Sequence, residues 1–430
     1  MLRQKLGVCS YIVDDGEKHN ALTSIADGMC YAVMAGLTTP FWGAFAVRLG
    51  ASDYMIALLS SLPALVNLLA QVPSAMLIDR YDSRLRPTIV WALFERSFFL
   101  IFALLAVLPI PFALKPTLFV VLYSLRNFPA TTCGIAWTSM MGEMFSPRLR
   151  GRLFGERNML CTLATLTATL AAGPLLDRIA WPWNYFSLYM ASFAAVMASA
   201  YYLTKHKETP LPRQERASSP QGLGAFAAAF RDRNFSRFLA AVMAMHIGFH
   251  VTASLWTILW VRIMGLSNAW IGMFSTVAGI TSFLSYRSWG RWSEKYGNAK
   301  ILAVTGLAHI AVPLVYAHFP SPYVYLGINA FGGFMGAGFN LALFNTLLDV
   351  SPAAGRPAYV ATYNMGLGIS GFVWPFLGVF MYGKMGMTLA LDWCTALRAA
   401  GMIAATLILL RSRASAEEHV KKTGVSSSVS

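Results

Sequence analysis

The sequence predicts an all-α integral membrane protein of twelve transmembrane helices, arranged as two pseudo-symmetric six-helix bundles. Three observations lead to that prediction: the apolar composition, the distribution of basic residues and an internal repeat. Of the 430 residues, 56% are hydrophobic and 12% are charged, whereas charged residues make up about 25% of soluble domains. The chain therefore lacks the polar residues that a soluble protein of this length needs for its exterior.

The apolar residues are grouped in runs long enough to cross a hydrocarbon core of about 30 Å, which takes about 20 helical residues. The alternation of polar and apolar residues that is typical of membrane barrels is missing, so the spans are predicted to be helices. The N-terminal segment is polar and contains no secretory signal, so we expect the first span to be retained. The helices are expected near residues 22–47, 54–78, 88–110, 117–143, 158–180, 183–204, 237–262, 269–290, 300–318, 323–349, 357–382 and 388–411.

The 34 lysine and arginine residues lie mainly in the connections on one side of these spans, with a bias of about fivefold over the other side. The positive-inside rule makes this the cytoplasmic side, which places both termini in the cytoplasm. The net charge of +15 is then a consequence of membrane topology, and no nucleic-acid partner is expected.

The two halves of the chain are related in sequence. Asp53, Asp79 and Arg80 pair with Asn268, Glu294 and Lys295, always 215 positions later. A second similarity joins residues 143–158 to residues 349–364. Each half begins on the cytoplasmic side, so the repeats are parallel, as if related by an axis along the membrane normal. The predicted organisation is a cytoplasmic tail at 1–20, a six-helix bundle at 21–204, a cytoplasmic linker at 205–236, a second six-helix bundle at 237–411 and a cytoplasmic tail at 412–430.

The loops after the second and eighth spans carry matching acid–base motifs. Residues 75–84 read AMLIDRYDSR, and residues 290–299 read GRWSEKYGNA. Together they resemble the pattern G-x3-D-[RK]-x-G-[RK]-[RK] of the major facilitator superfamily, and residues 137–158 resemble a bacterial subgroup of its members. The resemblance extends over residues 21–411.

This resemblance implies the superfamily's fold and the function of a secondary active transporter. Such a protein moves a small solute across the bacterial inner membrane by alternating access. Protons are the expected coupling ion. We expect the protein to be a monomer in the lipid bilayer. It also implies a gate on the cytoplasmic side, which assigns that role to Asp79, Arg80, Arg84, Glu294, Lys295 and Gly297. The alternative is that these are solvated loop charges that only set the topology.

Ionisable residues within the spans are functional candidates, because a charge in the bilayer costs several kcal/mol. Asp27 lies on the first span and Arg126 on the fourth, and the resemblance places both helices along the transport cavity. The alternative for Arg126 is a buried arginine bound to backbone carbonyls or packing partners. Glu95, Arg96 and Arg398 lie on spans that the resemblance makes peripheral, so we expect them to pair with one another or to extend toward the interface.

The second half contributes a pair of histidines and two asparagines. His246 and His250 are four residues apart on the seventh span, so they share a helix face. A histidine pKa near 6.5 suits a protonation site, and the alternative is a hydrogen-bonded packing role. The segment HIGFH does not match the HExxH pattern, so no metal site is expected. Asn340 and Asn364 are further candidates for the solute path.

Other classes of protein are disfavoured. No G-x4-G-K-[ST] motif is present, so we expect no ATP hydrolysis. A membrane enzyme or a haem-carrying subunit would need ligand histidines on separate facing helices, and His246 and His250 lie on one helix. We therefore expect no enzymatic activity and no cofactor. The five cysteines are scattered without paired spacing, which indicates buried thiols rather than disulfides. The superfamily's antiport signature on the fifth helix is reduced to Gly173 and Pro174. The competing interpretation is a superfamily member without transport activity, acting as a sensor or an assembly factor.

Overall fold

The computed structural model describes residues 14–145, 147–207, 229–352 and 356–423, together with Cys9 and Ile12. All regular secondary structure in these ranges is helical. Of the predicted tails and linker, residues 1–8, 10, 11, 13, 208–228 and 424–430 lie outside the described residues.

The first half of the chain forms helices α1 to α7. A short 3-10 turn at Thr39–Phe41 joins α1 to α2, and the resulting rod, Asp15–Arg48, corresponds to the first predicted span. The helices are α1 Asp15–Thr38, α2 Trp42–Arg48, α3 Asp53–Asp79, α4 Leu85–Val107, α5 Lys115–Met144, α6 Pro147–Arg178 and α7 Trp183–Leu203.

The second half forms helices α8 to α15. The seventh span is the rod Arg233–Ile263, which ends in a π-helical turn, and the ninth is the rod Asn298–His318. The helices are α8 Arg233–Val251, α9 Ala253–Thr257, α10 Asn268–Tyr296, α11 Asn298–Ala308, α12 Ala311–His318, α13 Pro322–Val350, α14 Arg356–Met385 and α15 Met387–Thr423.

A helix or a helical rod occupies each predicted span, which confirms the all-α membrane architecture. Within the described residues, ten of these helices are long and apolar enough to cross a membrane. The other two, α5 and α10, have 30 and 29 residues, so they match the ten in length but not in hydropathy. In α5 the polar residues include Arg126 and Asn127. One of the two helices that depart from the apolar pattern therefore carries a functional candidate.

The first helix begins earlier than predicted, at Asp15 rather than near residue 22. Asp14 caps the helix: its Oδ2 accepts a hydrogen bond from the backbone N–H of Glu17 at 2.7 Å. Asp15 and Glu17 also place negative charge near the positive end of the helix dipole. Hydropathy does not detect such a polar first turn. At the other end of the chain, α15 continues to Thr423, into the predicted tail.

The chain divides into two compact units. The first consists of Met1–Ala217 with Thr257–Thr276, and the second of Ser218–Trp256 with Val277–Ser430. The segment Thr257–Thr276, which follows the first helices of the second half, therefore packs with the first half of the chain.

An aromatic cluster fills part of the first unit. Trp42 on α2 lies 5.4 Å from Tyr189 on α7, measured between ring centroids, and Phe45 lies 4.8 Å from Phe119 on α5. Such pairs contribute about 0.5–1.5 kcal/mol each beyond their buried area. The cluster therefore holds α2 against α5 and α7.

In the second unit, a buried arginine joins three helical segments. Nε and Nη2 of Arg398 on α15 donate to the carbonyl of Gly248 at 3.1 and 2.7 Å, and Nη1 donates to the carbonyl of His309 at 3.1 Å. Nη2 also donates to Oγ1 of Thr252 at 2.8 Å. Gly248 has to be glycine here, because a Cβ would lie 2.6 Å from Cα of Arg398. The prediction that Arg398 pairs with Glu95 or Arg96, or reaches the interface, is wrong, because backbone carbonyls satisfy it inside the bundle.

The internal repeat is visible as one contact that occurs in both halves. In the first half, Nε of Arg84, just before α4, donates to Oε1 of Glu143 at the end of α5, at 3.2 Å. In the second half, Nδ2 of Asn298, the first residue of α11, donates to Oδ2 of Asp349 at the end of α13, at 3.0 Å. The same two helix ends are connected in both halves, but in the second half the contact is made by Asn298, the counterpart of Ser83, because the counterpart of Arg84 is Ala299.

The turn between α10 and α11 requires glycine. Gly297 has φ +86° and ψ 145°, a region of backbone space that is nearly restricted to glycine. We predict that Gly297→Ala lowers the free energy of unfolding by about 1–3 kcal/mol, measured by thermal and denaturant unfolding in detergent.

Gly290, in the same motif, is the matched control. It lies within α10, and the space around its ideal Cβ position is open. Gly290→Ala should leave stability unchanged or raise it by up to about 1 kcal/mol. Equal losses for the two variants would contradict this account of the motif.

Candidate functional site

A cavity of about 280 Å³ lies within the first unit, among α1, α4, α5, α6 and α7. Its wall combines four charged side chains with apolar and aromatic ones. The lining residues are Asp27, Tyr31, Ala92, Glu95, Arg96, Ala130, Cys133, Gly134, Trp137, Arg157 and Leu203. Charged groups that line an intramembrane cavity are the usual mark of a solute or proton path.

Asp27 is the centre of the first group of contacts. Its Oδ1 accepts a hydrogen bond from Ser199 Oγ on α7 at 2.5 Å. Nη2 of Arg96 donates to the same hydroxyl oxygen at 2.6 Å and lies 3.6 Å from Asp27 Oδ1. The exposed fraction is 4% for Asp27 and 3% for Arg96, so the pair is removed from water. Ser199 thus bridges an acid and a base on two other helices.

Arg157 on α6 approaches Asp27 from the other side. Its Nη2 lies 4.0 Å from Asp27 Oδ2, and its Nε donates to the carbonyl of Ser24 at 3.2 Å. The guanidinium carbon lies 4.6 Å from the centroid of the Trp137 ring. Gly28 provides the space, because a Cβ there would lie 2.6 Å from Arg157 Nη2. Ser24, Asp27 and Gly28 share one face of α1, so a single turn of helix shapes this side of the site.

Glu95 and Arg126 form the second group of contacts. Nη1 of Arg126 donates to Oε1 of Glu95 at 2.6 Å, and the two side chains are 12% and 5% exposed. The guanidinium carbon of Arg126 lies 5.1 Å from the centroid of the Phe99 ring and 5.7 Å from that of Trp42. Glu95 and Arg96 are adjacent on α4, so this helix joins the Glu95–Arg126 pair to the Asp27 group.

We call the five ionisable residues Asp27, Glu95, Arg96, Arg126 and Arg157 the charge network. The prediction that Glu95 and Arg96 pair with each other or reach the interface is wrong. Both are buried, and each pairs with a functional candidate on another helix. Asp27 and Arg126, both predicted as path residues, are thereby linked through α4 rather than by a direct pair.

Two members of the site were not singled out from the sequence. Arg157 stood one residue outside the predicted fifth span, but α6 begins at Pro147, so Arg157 lies about three turns inside the helix. Because the helical turns before Arg157 are polar, hydropathy did not assign Arg157 to the span. Ser199 is a neutral residue in an apolar span, and nothing in its local sequence distinguishes it from a packing serine.

Several N–H groups in this region have no acceptor among the described residues. They are Nε and Nη1 of Arg96, Nε of Arg126 and Nε1 of Trp137, all of them buried. Leaving a buried donor without a partner costs about 1–3 kcal/mol, and more when the group is charged. Arg96 and Trp137 also line the cavity, so two residues of its wall have donors that the described residues leave unused.

The candidates of the second half belong to the second unit. His246 Nδ1 lies 2.9 Å from the carbonyl oxygen of Val242, and His250 Nδ1 lies 2.9 Å from Oγ of Ser370. The two rings are 5.5 Å apart, measured between centroids. These contacts fit both a packing role and a protonation site. None of His246, His250, Asn340 and Asn364 lines the described cavity, and the two asparagines are exposed on α13 and α14.

Two of the three predicted gate residues of the first half, Asp79 and Arg84, are in contact. Asp79, with a side chain 60% exposed, lies 3.4 Å from Nη2 of Arg84. Arg84 is buried and also donates to Glu143 and to the carbonyl of Ile78. Arg80 is exposed at the end of α3. The sequence repeat between residues 143–158 and 349–364 was the signal that could have identified Glu143.

In the second half, the corresponding charges are exposed. Glu294 and Lys295 lie at the end of α10, and Nζ of Lys295 is 5.1 Å from the centroid of the Tyr296 ring. Here Asn298 makes the polar connections: Ser293 Oγ donates to its Oδ1, and its Nδ2 donates to Asp349. Asp349, like Glu143, was not predicted as part of the motif.

The buried pair of Glu95 and Arg126 can be tested by a double-mutant cycle. We predict that Glu95→Gln and Arg126→Gln each lower the free energy of unfolding by about 3–5 kcal/mol, because each leaves an unpaired buried charge. The double variant should lose less than the sum of the two. Unfolding in detergent is the measurement.

The exposed pair of His318 and Asp392, with side chains 47% and 34% exposed, is the control. Asp392→Asn should cost about 1 kcal/mol or less, because exposed pairs contribute little. Strictly additive losses for Glu95→Gln and Arg126→Gln would show that the two side chains do not interact.

Known proteins share this architecture. The family model described as Major Facilitator Superfamily matches residues 28–325, and no curated protein sequence matches the chain. The structure of the nucleoside transporter NupG is similar, with a TM-score of 0.71 at 14% identity over 91% of this chain and 98% of that chain. A D-xylose-proton symporter is similar with a TM-score of 0.69 at 12% identity, over 91% and 96% of the two chains. A bacterial homolog of the human lysosomal transporter Spinster has a TM-score of 0.65 at 14% identity, over 94% and 96%.

At these identities the solved structures show a shared fold, whereas the family model covers more than half of this chain by sequence. The predicted family is therefore confirmed, and the chain belongs to the Major Facilitator Superfamily.

Proposed function

We propose that the protein moves a small solute across the bacterial inner membrane by alternating access, as a proton-coupled monomer with both termini in the cytoplasm. Membership of the superfamily and the fold of the similar transporters support a secondary transporter. The observation that carries the proposal is the buried Asp27, which contacts Ser199 and faces Arg96 and Arg157 at the wall of a cavity.

The position of Asp27 supports proton coupling. A proton on this carboxylate removes the negative charge that faces Arg96 and Arg157. The other acid of the wall, Glu95, already pairs with Arg126 at 2.6 Å. Protonation of Asp27 therefore changes the charge that the cavity presents to a solute. The D-xylose-proton symporter, which has the same fold, is consistent with this choice of coupling ion.

Alternating access also requires contacts that close one side and can be released. On the predicted outer side, Asp177 caps α10: its Oδ1 accepts from the backbone N–H and Nδ2 of Asn268 at 2.9 and 2.8 Å, and its Oδ2 accepts from Ala269 N at 2.8 Å. Gly173, one turn earlier on α6, allows this approach, because a Cβ there would lie 2.8 Å from Cα of Ala269. We assign to these contacts the closure of the predicted outer side.

A charged pair supports the same closure. Nη1 of Arg262 donates to the carboxylate of Asp53, and its Nη2 donates to the carbonyl of Ala51. Arg262 belongs to the segment of the second half that packs in the first unit. The contact therefore joins the two halves of the sequence near the predicted outer ends of α2 and α3.

On the predicted cytoplasmic side, we assign the gate to Asp79, Arg80 and Arg84 of the first half and to Glu294, Lys295 and Gly297 of the second. The contacts of Arg84 with Asp79 and Glu143 support the gate role of the residues from the first half. His246, His250, Asn340 and Asn364 are proposed as the contribution of the second unit to the solute path.

Reconstitution tests the proposal. Proteoliposomes that contain a pH-sensitive dye are challenged with a panel of sugars, nucleosides, amino acids and carboxylic acids. For the wild type we expect at least one solute to drive proton movement. Asp27→Asn should reduce accumulation driven by a pH gradient by about tenfold or more, because an intramembrane acid of this kind is a proton relay. It should retain exchange of labelled solute without a gradient.

Asp392→Asn, on the exposed surface of α15, is the matched control and should behave as wild type. Proton-driven accumulation that survives in Asp27→Asn would refute the assigned role of this residue. If folded wild-type protein moves no solute of the panel, with or without a gradient, the non-transporting sensor or assembly factor becomes the better interpretation.

A further inference from the structure

We propose that the cavity of the first unit binds the carboxylate group of a small organic monoanion. Arg96 and Arg157 are its cationic partners, and Trp137 with the small side chains of the wall contacts its apolar part. This inference rests on the proposed function, because it names the class of solute for the same site.

The first observation is an excess of positive charge at the cavity. Glu95 is paired with Arg126, which leaves Asp27 as the one carboxylate of the described lining that faces both Arg96 and Arg157. With all groups ionised, the charge network carries one net positive charge. An uncompensated charge in a poorly solvated interior is strongly unfavourable. A single negative charge on a bound molecule would compensate it.

The second observation is the unused hydrogen-bonding capacity of the arginines. Arg96 uses Nη2 for Ser199, while its Nε and Nη1 have no acceptor among the described residues. Arg157 uses Nε for the carbonyl of Ser24, and its Nη2 is 4.0 Å from Asp27, which is too far for a hydrogen bond. Nε1 of Trp137 is a further buried donor without an acceptor in this part of the chain. A carboxylate has two oxygens and about four acceptor positions, so it matches this set of donors.

The third observation is the size and character of the rest of the wall. Ala92, Ala130, Cys133, Gly134 and Leu203 form an apolar surface beside the charged groups. A volume of about 280 Å³ has room for about nine non-hydrogen atoms, if each takes the ~30 Å³ that a water molecule occupies in the liquid. The ligand is therefore expected to have one carboxylate and a compact apolar body, which excludes a bare inorganic anion as the best fit.

Binding of matched acids and amides tests this inference. Purified protein in detergent is titrated with benzoate and benzamide, with acetate and acetamide, and with chloride, all at constant ionic strength. We expect wild-type protein to bind benzoate about tenfold or more tightly than benzamide, because hydrogen bonds to charged groups are the stronger ones. Acetate should bind more weakly than benzoate, and chloride should compete poorly.

Arg157→Gln should weaken benzoate binding by about tenfold or more and leave benzamide binding unchanged. Gly28→Ala is a second variant, and it removes no charge. Its new Cβ would displace the Arg157 guanidinium, so this variant should also weaken benzoate binding. Arg152→Gln is the matched control, because Arg152 lies on the same helix with a side chain 62% exposed. It should bind benzoate as wild type does.

Equal binding of the acid and the amide in both pairs would overturn the inference. Competition by chloride as strong as that by benzoate would also overturn it, because it would indicate a site for inorganic anions only. The outcomes also separate this inference from the proposed function. Acid-selective binding without transport of any solute would retain the site and refute the transporter. Transport of neutral solutes without acid-selective binding would retain the transporter and refute the site.

Discussion

The pairing of buried charges is the constraint on which the first unit depends. A charge inside a bundle that spans the membrane has little water to solvate it, so each must find a partner on another helix. Asp27 on α1 is joined to α7 through Ser199, to α4 through Arg96 and to α6 through Arg157. Glu95 and Arg126 join α4 to α5. Five helices thus converge on one group of side chains, and four of these side chains, those of Asp27, Glu95, Arg96 and Arg157, line the cavity.

At Arg398, the second unit solves the same problem with neutral acceptors. Arg398 is as deeply buried as Arg96, but its described acceptors are the carbonyls of Gly248 and His309 and the hydroxyl of Thr252. A guanidinium bound to carbonyls has no carboxylate whose protonation could alter the contact. The comparison suggests a division of roles between related halves: the first carries a network that can respond to protons, and the second has a fixed link at its buried arginine.

The architecture was predictable because the membrane imposes it. Apolar length, the bias of basic residues and the 215-residue repeat are each consequences of crossing a bilayer in two similar halves. Asp27 and Arg126 were found for the same reason, since an ionisable residue stands out in an apolar span. Glu95 and Arg96 were equally visible, but their partners depend on how α4 packs, and position along the chain does not contain that information.

Other residues of the site were harder to identify from the sequence. Arg157 was separated from the predicted fifth span by one residue, because the polar start of α6 does not register in hydropathy. Ser199 owes its role to its neighbours in space. The need for glycine at position 28 becomes clear only from the structure, in which Arg157 lies against it. Sequence reasoning therefore identified which residues are unusual for a membrane, whereas packing determined which of them act together.

The central claim is that Asp27 and the bound solute share the same two arginines, so that proton and solute binding are linked. Its most direct test is proton exchange on ligand binding, measured as a pH change when benzoate is added to weakly buffered wild-type protein in detergent. A second carboxylate beside Arg96 and Arg157 favours protonation of Asp27, so binding should be accompanied by proton uptake, and linkage requires that this uptake disappear in Asp27→Asn. Binding of benzoate without proton uptake, or with equal uptake in Asp27→Asn, would contradict the account.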